Sequence, residues 1–134
     1  EVSNQKKKLM KVTEESLYKG ISRAKAGNVI NDISVAIQTH VEGSGYGVVR
    51  DLVGHGIGKS LHEEPAVPNF YSPASNTKLK AGMTIAIEPM VNYGHFAVKT
   101  LSDGWTIVTQ DGEPSAHYEH TILITDGEPE ILTK

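Results

Sequence analysis

Two histidines stand seven positions apart in Gly54-His55-Gly56-Ile57-Gly58-Lys59-Ser60-Leu61-His62-Glu63-Glu64-Pro65, and two glutamates, Glu88 and Glu119, end or interrupt apolar runs. A carboxylate buried among apolar side chains is costly unless something offsets its charge. Glu88 and Glu119 therefore require a cation, a cluster of donors or a proton. His55 with these two carboxylates is a nitrogen and oxygen set that suits Mn²⁺, Fe²⁺, Co²⁺ or Zn²⁺, whereas Ca²⁺ and Mg²⁺ favour all-oxygen shells. The competing reading makes each of the three a hydrogen-bonded interior residue.

Other patterns that the glycine-rich stretch suggests do not fit. Gly54-x3-Gly58-Lys59-Ser60 is one residue short of a phosphate loop. It is followed by Glu63, Glu64 and Pro65, two charges that repel phosphate and a proline that stops a helix. His62-Glu63 opens an H-E-x-x-H zinc motif, but Ala66 stands where the second histidine belongs. The dinucleotide fingerprint G-x-G-x-x-G fails by spacing. What remains is a pair of imidazoles on a stretch with little side-chain bulk, expected to be an irregular loop on the floor of a cleft.

The chain's 134 residues suffice for one domain. A net charge of −3 and a sequence pI near 6.1 argue against nucleic acid as the main partner, although the first dozen residues are locally basic. With no cysteine, any metal must be held by nitrogen and oxygen. No apolar run approaches the ~18 residues of a membrane span, and no secretory leader is visible. A cytoplasmic setting without membrane contact is expected. The chain starts at Glu1 and enters a helical pattern almost at once, as the continuation of something longer would.

Several elements are needed to position the candidate residues. Ser3 or Asn4 caps a first helix with Leu9, Met10, Thr13, Leu17, Ile21 and Ala24 along one stripe, and Gly27 as its stop. A second helix starts near Asn31, turns Ile33, Ala36, Ile37 and Val41 inward and ends at Gly43-Ser44-Gly45, with His40 in a structural role. A short strand around Val48-Val49 leads into the glycine stretch. The segment from Pro65 to Lys80, rich in Pro, Asn, Ser and Thr, reads as a surface excursion. Met83 to Val91 is an apolar strand covered on both faces and carrying Glu88 near its end. A hairpin turns at Ser102-Asp103-Gly104. Ala116 to Thr125 is a strand whose alternation puts His117, Glu119 and Thr121 on one face. Glu130 to Thr133 forms a last strand after a turn at Asp126-Gly127. Two helices on one face of a curved antiparallel sheet of four or five strands make an α+β layer.

The blocks Gly54-His55-Gly56-Ile57-Gly58, His62-Glu63-Glu64-Pro65, Gly82-Met83-Thr84-Ile85-Ala86-Ile87-Glu88-Pro89, Asp103-Gly104-Trp105 and Tyr118-Glu119-His120-Thr121 resemble, in order, the C-terminal half of a methionine aminopeptidase. Glu88 and Glu119 are only 31 positions apart, which is similar to the compact type I enzymes. The resemblance implies one half of a pita-bread fold across residues 1–134. It also implies His55, Glu88 and Glu119 as metal ligands, with Glu119 bridging. His62 matches the histidine that contacts the substrate amide, and Leu61 and Trp105 match positions around the methionine pocket. An aromatic is usual where this chain has Leu61. His117, Tyr118 and His120 match no ligand and read as packing or supporting residues.

The same resemblance implies two divalent ions, of Co, Mn, Fe or Zn, that polarise the scissile carbonyl and acidify a water. Glu88 would pass a proton to the leaving amine, and His62 would place a donor where negative charge develops. The substrate implied is a peptide or nascent protein with an N-terminal methionine. The family site also uses two aspartates on a hairpin ahead of this half, and none of Asp32, Asp51, Asp103, Asp111 or Asp126 stands so. One ion at most is then expected in this chain alone, with an N-terminal half of the same enzyme as partner and no activity without it. The alternative is a non-catalytic pita-bread fragment acting as a binding module.

Overall fold

The computed structural model describes residues 3–50, 53–58, 63–94, 96–103, 107–109 and 111–133. Helix α1 spans Asn4–Ile21, its first turn capped by the Ser3 hydroxyl, which accepts from the Lys6 N–H at 3.2 Å. It buries Leu9, Val12, Thr13, Ser16, Leu17, Gly20 and Ile21. Met10, expected on that stripe, is 43% exposed, and Val12 takes its place. The helix stops at Ser22, short of Gly27, which instead takes φ +94° in the following turn. Helix α2, Ile30–Gly43, starts where the Asp32 carboxylate accepts from the Val29 N–H at 2.8 Å. It buries Ile30, Ile33, Ile37 and Val41, while Ala36 is only half-buried. Gly20 lets the helices approach closely, because a Cβ there would meet Ile37 Cδ1 at 2.8 Å. His40 joins them from outside through Glu15 at 3.1 Å, the structural role expected of it.

The strands are β1 (Gly47–Val48), β2 (Gly54–Ile57), β3 (Glu63–Val67), β4 (Thr84–Ile87), β5 (Met90–Asn92), β6 (Val98–Thr100), β7 (Ile107–Thr109), β8 (Ser115–His117), β9 (His120–Leu123) and β10 (Glu130–Ile131). They form a five-stranded sheet in the order β10-β9-β4-β2-β3, a three-stranded sheet β1-β5-β8 and the hairpin β6-β7, all paired antiparallel. The helices pack against these sheets in an α+β architecture. Leu9, Leu17, Ile33, Ile37, Ile85, Ile87, Ile122 and Ile124 meet in the core between the layers.

Three expectations change. Of the glycine stretch, expected to be an irregular loop, the described ends are the strands β2 and β3, the former interior. Gly54 is needed there because a Cβ would collide with the Ala86 carbonyl oxygen of β4. Pro65 is tolerated because β3 is an edge strand. The single strands expected over Met83–Val91 and Ala116–Thr125 are each broken in two, so one sheet becomes two plus a hairpin. Pro89 has no N–H to continue the ladder, which sets the break in the first of them. Finally, the excursion after β3 is anchored. Asn31 donates to the Ser72 carbonyl at 2.8 Å and accepts from its N–H at 3.1 Å, and Ser34 donates to the Pro68 carbonyl at 2.5 Å.

Candidate metal centre

Antiparallel pairing across the two breaks brings the glutamates together. Ile87 pairs with His120 before the break, and Met90 pairs with His117 after it. Two residues remain on each strand, in register, so Glu88 faces Glu119 and Pro89 faces Tyr118. The Tyr118 N–H donates to the Pro89 carbonyl at 3.3 Å, holding the gap closed. Both carboxylates therefore sit where the paired strands pass from one sheet to the other. On the other side of β4, His55 pairs with Ala86, two residues before Glu88 and on the same face. His55 thus lies diagonal to Glu88, within reach of a long side chain.

The side chains complete what the register begins. His55 Nε2 lies 3.1 Å from Glu88 Oε2, with only 12% and 18% of the two side chains exposed. Ligand atoms of His55, Glu88 and Glu119 all fall within 4.8 Å of one another. Two nitrogen or oxygen atoms each ~2.1 Å from one ion lie roughly 3–3.5 Å apart in a tetrahedral or octahedral shell. The His55–Glu88 separation has that value already. Glu119 is exposed rather than buried as expected, because it stands in the gap between strands and not within one.

The donor chemistry fits a cation. His55 Nδ1 lies 3.1 Å from the Gly56 carbonyl, which can only accept, and a hydrogen on Nδ1 leaves Nε2 as the acceptor nitrogen, turned toward Glu88. Two carboxylates directly opposite on paired strands repel. A divalent ion among the three side chains would relieve that repulsion and accept the imidazole nitrogen, so the residues present fit the group.

Leu61, His62 and Trp105, the expected substrate contacts, lie outside the described residues. His120 is occupied structurally, with Nε2 3.2 Å from the Tyr18 hydroxyl and Nδ1 2.8 Å from Thr133 Oγ1. Two further residues stand beside Glu88. Asn69, fully buried, donates from Nδ2 to the Glu88 backbone carbonyl at 3.2 Å and steadies the strand break. His117 Nε2 lies 3.8 Å from Glu88 Oε1. Its place two residues before Glu119 was the only available signal. A groove of about 1050 Å³ on the outer faces of α1 and α2, lined by Lys19, Arg23, Asp32, Val35 and Tyr71 among others, includes none of His55, Glu88 and Glu119.

Comparison with known proteins agrees with this geometry. The methionine aminopeptidase of Clostridium perfringens is 57% identical over 132 residues, covering 98% of this chain and 53% of that protein. Methionine aminopeptidase 1 of Bacillus subtilis is 54% identical over 133 residues, covering 99% and 54%. The crystal structure of methionine aminopeptidase from Thermotoga maritima superposes with a TM-score of 0.95 at 50% identity, covering 100% of this chain and 54% of that one. The chain spans about half the length of these relatives and matches their C-terminal half. The model of metallopeptidase family M24 matches residues 1–126, and the chain belongs to that family.

Proposed function

We propose that residues 1–134 are the C-terminal half of a methionine aminopeptidase-like catalytic domain, and that the completed unit removes N-terminal methionine from peptides and nascent proteins in the cytoplasm. The observation that carries this reading is the convergence of His55, Glu88 and Glu119 within 4.8 Å. It is supported by relatives named methionine aminopeptidase along nearly the whole chain. His55, Glu88 and Glu119 would hold one divalent ion in this chain, of Co, Mn, Fe or Zn, and an N-terminal half would supply the ligands for a second. Bound there, the metal would polarise the scissile carbonyl and make a nearby water more acidic.

The chain's own groups would do the rest. Glu88 offers two carboxylate oxygens with different neighbours, one toward His55 and one toward His117, so it can take a proton from the attacking water and deliver it to the leaving amine. His62 would donate a hydrogen bond where negative charge grows on the substrate oxygen. Leu61 and Trp105 would wall the methionine pocket. Hydrolysis of Met-Ala-Ser with Co²⁺ or Mn²⁺ tests this, using the chain alone and mixed with a segment matching the first half of its relatives. No turnover is expected from the chain alone, turnover on mixing, and none with Glu88→Gln. Robust turnover by the lone chain refutes the need for a partner. If the mixture is inactive and the chain binds no metal, a non-catalytic binding module is the better description.

A further inference from the structure

We propose that His117 is a positioning residue for Glu88, an imidazole that holds this carboxylate in its metal-ligating orientation. The proposal rests on the metal reading above. His117 ends β8 opposite Met90, and the pleat puts it on the face shared by Glu88 and Glu119. Its Nε2 lies 3.8 Å from Glu88 Oε1, while Oε2 of the same carboxylate lies 3.1 Å from His55 Nε2. Each oxygen of Glu88 thus has its own imidazole neighbour. Among the described residues, Glu88 is the one polar partner of His117.

The distances divide the two imidazoles by role. His55 belongs to the group whose ligand atoms can close on a single ion, and His117 does not. His117 is 48% exposed, so its ring has room to turn, and the role assigned to it requires Nε2–H to close from 3.8 Å to hydrogen-bond range of Oε1. A glutamate's terminal torsion is broad and nearly two-fold, so the groups around the carboxylate decide which oxygen turns toward His55. A donor on the outer oxygen favours the orientation that leaves the inner oxygen facing His55. Partners of this kind, one step removed from a metal, commonly contribute 10–100-fold in affinity.

Co²⁺ titration of the full chain, followed by calorimetry and by the visible absorption of the bound ion, tests the assignment. Relative to wild type, His117→Ala should weaken Co²⁺ binding about 10-fold or more and broaden the absorption bands. His117→Gln, which keeps a donor, should recover most of the affinity. Without metal, all three proteins should melt together, because a half-exposed residue at a strand end contributes little to the fold. Wild-type affinity in His117→Ala overturns the proposal, as does His117→Gln binding no better than His117→Ala. Glu88→Gln separates this from the parent reading. If it abolishes binding while His117→Ala does not, the metal centre stands and only the role of His117 falls. If the wild type binds no Co²⁺, both fall.

Discussion

Glu88 and Glu119 face each other across an antiparallel pair, an arrangement that a fold selected for stability alone would avoid. The penalty has a measurable sign. Replacing Glu119 with Gln removes the repulsion, so the metal-free protein should gain roughly 0.2–1 kcal/mol, the range for cross-strand pairs. The same change should weaken Co²⁺ binding sharply. Urea unfolding without metal and calorimetry with it would show the two effects; loss of stability in the metal-free variant would mean that Glu119 is held by donors instead. Gly54 gives a converse case, where the residue serves the fold and the site only through it. A methyl group there would collide with the Ala86 carbonyl of the neighbouring strand. Gly54→Ala should cost about 1–3 kcal/mol, the usual range for overpacking, and should displace the adjacent His55. A melt unchanged from wild type would contradict that crowding.

At the scale of elements, the site is made by interruptions. Neither β4-β5 nor β8-β9 runs through, and each glutamate lies in a two-residue gap between strands. Residue types revealed part of this. Apolar runs, turn pairs such as Asp126-Gly127 and the capping Ser3 located both helices and most strands. The breaks were harder to see, because apolar residues continue on both sides of Glu88-Pro89, where the proline alone marks one, and the tertiary pairing sends β4 and β5 into different sheets. The glycine stretch was misread for a related reason. Gly54 relieves crowding between strands, a demand set by chain segments distant in sequence, whereas composition alone suggested access for a ligand. The excursion after β3 follows the same logic, being polar in sequence yet fixed to α2 by side-chain bonds. Asn31 makes two of these bonds to Ser72. Asn31→Ala should cost about 1–3 kcal/mol, since the half-buried backbone groups of Ser72 lose their partner. Hydrogen exchange should quicken in residues 68–79 before the core is affected; uniform exchange across the chain would show that the loop is held by other contacts.

At the scale of the whole molecule, folding and metal binding are linked through residues that are far apart in sequence. His55, Glu88 and Glu119 come from three separate elements of chain and reach one point only when β2, β4 and β9 are paired. An unfolded chain presents no such cluster, so an ion that binds the triad must stabilise the folded state. At a free concentration 100 times Kd, the gain is about 2.7 kcal/mol. For a domain of this size, that is a rise of roughly 10 °C in Tm. Co²⁺ or Mn²⁺ should produce such a rise and EDTA should reverse it, with Mg²⁺ doing less because the site includes an imidazole. Glu88→Gln should lose the response, since it takes a charged ligand from the centre of the triad. An equal rise in that variant would place the ion among the exposed acidic groups elsewhere on the surface. The fold would then be a scaffold whose carboxylates meet for some purpose other than holding a metal.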